Sequence, residues 1–251
     1  TGRLMAPHIL GGAQTDTGKP PSFTLPMLDL LHHGRARMRM PRSIILEPTR
    51  ELATQVAANF DTYGKYISLS KALIIGGESA AEQGKVLEKG ADVIIATPGR
   101  MIDTFERGKL LLSDCKLLVI DEADRMLDMG FHEDIMKIIN FTPQKRQTLL
   151  FSATFPDQIK KISSAIQNDP LDIHVESLHD NSKIKQIFYE IEKGDRTKTL
   201  VALLHQFRPE SSVIFCNRKQ QCKELAEDLW AQGIHALALH GDLEQKDRDR
   251  V

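Results

Sequence analysis

Cysteine is scarce in this chain: 251 residues carry three, Cys115, Cys216 and Cys222. None forms a Cys-x-x-Cys pair, which excludes a zinc site built on that spacing. The three read as reduced, mostly buried small residues of a cytoplasmic protein. Excess charge of one sign is also missing. Lys plus Arg number 33 and Asp plus Glu 34, a net charge of −1. Bulk charge therefore does not point to nucleic acid, and any such site must be a local patch. No apolar run is long enough to span a bilayer. The first residues lack a cleavable signal pattern, so the cytoplasm is the expected compartment and no membrane is an expected partner. No short-period repeat is present. What is present is an apolar fraction of 41%, adequate for a core, and length for one large or two modest domains.

Short aliphatic or β-branched runs alternate with helical patterns. Strands are predicted at Ser43–Glu47, Ala72–Ile75, Val93–Ala96, Leu117–Ile120, Thr148–Phe151, Ile187–Glu192, Ser212–Cys216 and Ala236–Leu239. Helices are predicted between them, among others at Arg50–Tyr63, Ala80–Glu88, Asp157–Gln167, Arg196–His205 and Lys219–Ala231. Strands without polar alternation are buried on both faces. Strand–helix alternation predicts an α/β fold with a parallel sheet and right-handed crossovers. Asn168-Asp169-Pro170 stops a helix, and the polar stretch Glu176–Ser182 is the predicted linker. It separates a first domain over residues 1–175 from a second over residues 183–251.

Asp121-Glu122-Ala123-Asp124 directly follows the apolar run Leu117–Ile120. Two carboxylates thus emerge at the carboxyl end of a buried strand, where open α/β sheets bind ligands. Asp121 can hold Mg²⁺, directly or through water. Glu122 can orient a water that attacks a phosphate. An acidic pair also suits an ordinary helix start. Ala13-Gln14-Thr15-Asp16-Thr17-Gly18-Lys19 supplies most of a phosphate cradle: a turn, a helix start and a lysine point charge. Pro48-Thr49-Arg50, Gly76-Gly77 and Thr97-Pro98-Gly99-Arg100 each end a strand. Helix N-termini there can bind phosphates, although each turn alone is an ordinary junction. Ser152-Ala153-Thr154 ends another strand, and its plainer reading is a hydroxyl cap for the helix near Asp157. The basic segment His32–Arg42 can contact phosphates, but reads more simply as a solvated loop.

In order and spacing, these segments, with Glu51-Leu52, His240-Gly241-Asp242, Gln245 and Arg248, resemble the motifs of the DEAD-box ATP-dependent RNA helicases. The resemblance covers nearly the whole chain, and Asp121 to Phe131 and Phe151 to Pro156 look most like the bacterial members. It implies two recombinase-like parallel-sheet domains facing each other across a cleft, the second incomplete here. It implies ATP and Mg²⁺ as cofactors and RNA as partner, and names no protein partner. ATP would be bound by Ala13, Gln14, Thr15, Asp16, Thr17, Gly18 and Lys19. Asp121 would hold Mg²⁺ and Glu122 would orient the water. The hydroxyls of Ser152 and Thr154 would bond the acidic motif and couple ATP state to RNA state. Pro48, Thr49, Arg50, Gly76, Gly77, Thr97, Pro98, Gly99 and Arg100 would meet RNA backbone. Arg218, Gln245 and Arg248 of the second domain resemble further elements that touch RNA or the opposite domain.

The chain departs from the family pattern at the phosphate loop. Asp16 stands where glycine is expected, and Pro20 where threonine is expected. Two unit charges about 5 Å apart cost roughly 3 kcal/mol at an effective dielectric near ~20, so Asp16 would repel a triphosphate. Pro20 has neither a hydroxyl for Mg²⁺ nor an N–H for a phosphate. Pro21 follows and disfavours helical geometry at residue 20, although a helix start is comfortable for proline. Ile9-Leu10-Gly11-Gly12 is a poor match to the family's first strand. The family's adenine-reading glutamine would lie upstream of Thr1 and its arginine fingers beyond Val251, so the sequence reads as truncated. Two functions stay open. The parent protein is an ATP-dependent RNA helicase separating short duplexes, or this chain is an impaired fragment that holds RNA without ATP turnover.

Overall fold

The computed structural model describes residues 7–12, 19–174, 185–191 and 196–251. It divides into two compact units, Thr1–His179 and Asp180–Val251. The predicted linker Glu176–Ser182 lies outside the described residues. In the first unit the elements run β1 (Ile9–Gly12), α1 (Lys19–Leu31), β2 (Ser43–Leu46), α2 (Arg50–Tyr63), β3 (Lys71–Ile74), α3 (Ala80–Lys89) and β4 (Val93–Ala96). There follow α4 (Pro98–Glu106), β5 (Leu117–Ile120), α5 (Ala123–Asp128), α6 (His132–Phe141), β6 (Gln147–Ser152), α7 (Asp157–Ile166) and β7 (Leu171–His174). The seven strands form one sheet in the order β3-β4-β2-β5-β6-β1-β7. Every pairing is parallel.

All residues of β2, β4 and β5 are buried, because helices cover both faces of the sheet. Period-2 alternation sends Ile44, Leu46 and Ile94 into one layer with Leu87, Met101, Ile135 and Ile159. It sends Ile45, Ile95 and Val119 into the other with Phe23, Met27, Val56 and Phe60. The helices bring one apolar stripe each: α1 and α2 cover the second face, and α3, α4, α6 and α7 the first.

Five strands are predicted for this unit, and seven form. Ile9–Gly12, a poor match to the family's first strand, forms a strand between β6 and β7. Its glycines suit the place: an added Cβ would lie 2.4 Å from the Phe151 ring at Gly11, and 2.1 Å from His174 Nδ1 at Gly12. Residue 20, expected to resist helical geometry, is helical within α1. First-turn N–H groups have no acceptor inside the helix, so Pro20 and Pro21 lose nothing there. In the basic segment, Arg42 bonds Asp92 Oδ1 at 2.8 Å and the His33 carbonyl at 2.7 Å, which makes it structural. Cys115 is buried, whereas Cys216 and Cys222 are partly exposed.

The second unit contains α8 (Arg196–Phe207), α9 (Lys219–Ala231) and α10 (Gln245–Arg250). Its predicted strands do not form ladders among the described residues: 185–191, Ser212–Cys216 and Ala236–Leu239 are without strand pairing, and Glu192 lies outside. Val213 is 80% exposed and Phe215 94%. A β-branched run supplies strand propensity, but a ladder needs a neighbour, and none pairs with these segments. Of these, Ala236–Leu239 and the turn after it are tied to α9. Trp230 Nε1 donates to the Ala236 carbonyl at 2.7 Å, and Lys219 Nζ lies 2.9 Å from Asp242 Oδ2. Leu229 alone is buried among this unit's described residues. No described helix is long and apolar enough to cross a membrane.

Candidate active site at the carboxyl edge of the sheet

Parallel strands place all their carboxyl ends on one edge, and the strand order sorts the candidate residues into two neighbouring groups. β5 and β6 deliver Asp121, Glu122, Asp124, Ser152 and Thr154, and α1, which follows β1, delivers Lys19. β3, β4 and β2 deliver Gly76-Gly77, Thr97 to Arg100 and Pro48 to Arg50 side by side. Ala13, Gln14, Thr15, Asp16, Thr17 and Gly18 lie outside the described residues.

Lys19 is buried at the start of α1. Its Nζ lies 2.5 Å from Glu122 Oε1 and 3.3 Å from Asp121 Oδ1. Asp121 Oδ1 also accepts the Glu122 N–H at 2.8 Å. Glu122 sits at φ 50°, ψ 47°, the N-cap of α5. That left-handed conformation costs a non-glycine residue roughly 1–2 kcal/mol, and such strain clusters at functional sites. It turns the chain sharply from strand into helix while the carboxylate meets Lys19.

Burial pushes the Asp121 carboxyl up to about 6; Lys19 pulls it down and Glu122 adds to the rise. Burial acts downward on Lys19, but Asp121 and Glu122 outweigh it, so the ammonium is held above its ordinary value. Sequence reasoning missed a third carboxylate. Glu47 follows β2, is buried, and has an Oε1 without a hydrogen-bond partner. Burial, then the charges of Asp121 and Glu122, push it well above the usual carboxylate range, with Lys19 opposing. Its signal was available: Leu46-Glu47 repeats the apolar-to-acid step of Ile120-Asp121 at a strand end.

Three buried carboxylates therefore share one ammonium, which favours an added cation. Among the described residues, no three His, Cys, Asp or Glu side chains could hold a metal by themselves. A hard cation such as Mg²⁺ would be held there by the Asp121 carboxylate. The residues fit the metal in this sense.

Asp124 closes the cluster. Its Oδ2 accepts the Thr154 N–H at 2.9 Å and the Thr154 hydroxyl at 2.8 Å. Ser152 Oγ accepts the Asp124 N–H at 3.2 Å and donates to the Thr154 carbonyl at 2.7 Å. Burial opposes ionisation of Asp124, but the Thr154 bonds and the Arg125 N–H outweigh it and hold the carboxyl below its ordinary value. The plainer reading of Ser152 to Thr154 as a helix cap fails: the N-cap of α7 is Pro156, without a side-chain bond.

In the second group, Thr49 Oγ1 accepts the Leu52 N–H at 3.3 Å and caps α2. Gly77 has φ +81°, and a Cβ there would lie 2.2 Å from Arg50 Nη1. The glycine turn thus admits the Arg50 guanidinium. Pro98 sits in the first turn of α4, after its N-cap Thr97. Arg100 donates to Gln83 Oε1 and to the Glu78 carbonyl, both at 3.1 Å, tying α4 to the turn after β3. In the second unit Arg218 is the N-cap of α9, Gln245 opens α10, and Arg248 Nη1 donates to the His240 carbonyl at 3.3 Å.

Residues 3–162 match the family model for the DEAD/DEAH box helicase, and residues 192–251 that for the helicase conserved C-terminal domain. The ATP-dependent RNA helicase DbpA of Escherichia coli is 41% identical over 252 residues, 98% of this chain and 54% of that protein. The ATP-dependent RNA helicase DeaD of Mycobacterium tuberculosis is 41% identical over 245 residues, 97% of this chain and 43% of that protein. The crystal structure of a DEAD box protein from the hyperthermophile Methanococcus jannaschii aligns with a TM-score of 0.64 at 35% identity. That alignment covers 98% of this chain and 65% of the other. The chain spans about half the length of the curated relatives it matches. On these matches, and with the Asp-Glu-Ala-Asp turn at the edge of a parallel sheet, the chain belongs to the DEAD/DEAH box helicase family.

Proposed function

We propose that this chain belongs to an ATP-dependent RNA helicase in which the Thr1–His179 unit binds Mg-ATP and RNA backbone along one sheet edge. The observation that carries this reading is the buried Lys19–Asp121–Glu122 cluster, linked through α5 to the Asp124–Thr154 pair. Domains over residues 1–175 and 183–251, with a linker between, belong to the same proposal.

Lys19 is engaged by Glu122 at 2.5 Å. An arriving triphosphate competes for that ammonium, and its phosphate charge draws Lys19 away. Glu122 is then released to accept a hydrogen bond from the attacking water. Asp121 holds Mg²⁺. When bound, the metal offsets carboxylate charge and stabilises charge on the phosphate oxygens. Thr154 and Ser152 connect this cluster to the end of β6, so a shift of the acidic turn reaches the next strand. Arg50, Arg100 and the N–H groups of the turns after β2, β3 and β4 meet RNA through its phosphates, which makes binding tolerant of sequence and sensitive to salt. Arg218, Gln245 and Arg248 contribute from the second unit.

A second reading is favoured by one observation: Pro20 lies in the first turn of α1, directly after Lys19, with no hydroxyl to offer a metal. With the Asp16 carboxylate, this makes the chain an RNA holder without ATP turnover.

Titration of Mg-ATP together with RNA-stimulated hydrolysis separates the two. The helicase reading expects Mg-ATP binding by both the unaltered chain and Glu122→Gln, and, in the protein extended to the length of its relatives, hydrolysis that Glu122→Gln lowers by at least 10²-fold. RNA binding without ATP binding supports the second reading. Hydrolysis that survives Glu122→Gln overturns the role given to Glu122.

A further inference from the structure

Glu47 has no part in the mechanism above, yet it is the most completely buried carboxylate of the cluster, at 1% exposure. The register of β2 against β5 sets Leu46 opposite Ile120, so Glu47 and Asp121 leave adjacent strand ends together. The backbone around it is occupied: the Glu47 N–H donates to the Ala96 carbonyl at 2.9 Å, and the Asp121 N–H to the Leu46 carbonyl at 3.1 Å. The side chain is not, because Oε1 has no hydrogen-bond partner among the described residues. A buried acceptor left unpaired costs about 1–3 kcal/mol, more when charged, so its retention needs a reason. Lys19 does not supply one, as its ammonium meets Glu122 and Asp121.

We propose that Glu47 is a positioning residue of the Mg-nucleotide site, its Oε1 accepting a hydrogen bond from a water in the metal's shell. The inference rests on the proposed Mg-ATP reading of this site. Mg²⁺ gives up its waters reluctantly and usually keeps several, and each bound water is a strong donor. Together with the charge already gathered there, the unpaired Oε1 supplies the acceptor such a water needs. Outer-shell partners of this kind orient the ligands of a metal, and their loss weakens metal affinity by about 10–100-fold.

The experiment measures binding rather than turnover. Mn²⁺ is titrated by electron paramagnetic resonance in the presence of saturating ADP, using the full chain, Glu47→Gln and Glu47→Ala. ADP affinity without metal and thermal unfolding are followed in parallel. Glu47→Gln keeps the volume and an acceptor oxygen, so it serves as the folded control. The expected result is Mn²⁺ affinity weakened about tenfold or more in Glu47→Ala and less in Glu47→Gln, with metal-free ADP binding unchanged. Equal Mn²⁺ affinity in all three proteins overturns the role of Glu47 and leaves the Mg-nucleotide site standing. Failure of the unaltered chain to bind ADP with or without metal overturns that site, and this inference with it. Loss of metal-free ADP binding in Glu47→Gln, with lowered thermal stability, shows a structural residue and also overturns the inference.

Discussion

Asp124, at the margin of the buried cluster, has a carboxylate held by several hydrogen bonds. Its carboxylate accepts from Thr154 twice, and Oδ1 accepts the Arg125 N–H at 3.0 Å. These bonds favour the charged form in the folded protein and are absent from the unfolded chain. The folded value lies below the ordinary 3.8. The stability this contributes is therefore fully present above that value and is lost as pH falls through the lower, folded one. Asp124→Asn is expected to cost about 1 kcal/mol at neutral pH, after discounting for its partial exposure. Urea denaturation should show a gap from the unaltered chain that is constant between pH 8 and about 5 and closes only in stronger acid. A gap that already narrows between pH 7 and pH 5 would show that another group carries the effect.

At the scale of elements, the glycine turn after β3 and the first turn of α2 work as one piece. Gly77 occupies a left-handed conformation, and Arg50 fills the space its missing side chain leaves. Gly77→Ala is expected to cost about 1–2 kcal/mol in stability through its backbone and to drive the guanidinium away. RNA affinity should then fall as far as it falls in Arg50→Ala, with ATP affinity unmoved. A double mutant that loses no more than either single one would confirm the shared piece, and additive losses would refute it. Elements of this kind were legible in proportion to how locally they are determined. β4 and β5 begin and end where the sequence predicts, because an unbroken apolar run bounded by polar residues needs little else. α2 likewise has a threonine cap at one end and Gly64 at the other. β1 was not legible: its glycines are explained by Phe151 and His174, which only the fold brings near. Glu47 was legible only as a repeat of the Ile120-Asp121 step, a signal that a strand reading over Ser43–Glu47 absorbs. Lys19, Asp121 and Glu122 were legible as motif residues, but the short Lys19–Glu122 contact joins positions 103 apart and is a property of the sheet.

At the scale of the whole molecule, the two units differ in what protects them. The first has a sheet covered on both faces by apolar layers. In the second, the described residues have no strand ladder and one buried side chain. Local opening is easiest where few apolar contacts resist it. Limited proteolysis is thus expected to cut first beyond residue 174 and to leave a resistant fragment containing β1 to β7. Mass spectrometry of the products checks this, and a stable product made of residues 185–251 would reverse the assignment. Sequence predicted both units as sheets. It found five of the seven strands of the first, whose partners lie within the unit, while Ser212–Cys216 and Ala236–Leu239 pair with nothing among the described residues.

The place of β1 between β6 and β7 has a consequence in time. It is the first of the seven strands to leave the ribosome, yet it must wait for β6 on one side and β7 on the other, since Ile9 stands opposite Leu149 and Leu171. At about 5–20 residues per second, that wait is on the order of ten seconds. Throughout it, the nascent chain carries a strand with both edges open, the situation that invites pairing with a wrong neighbour. Ile9-Leu10-Gly11-Gly12 is short and half glycine, and so a weak template for any strand that does not bring Phe151 and His174 with it.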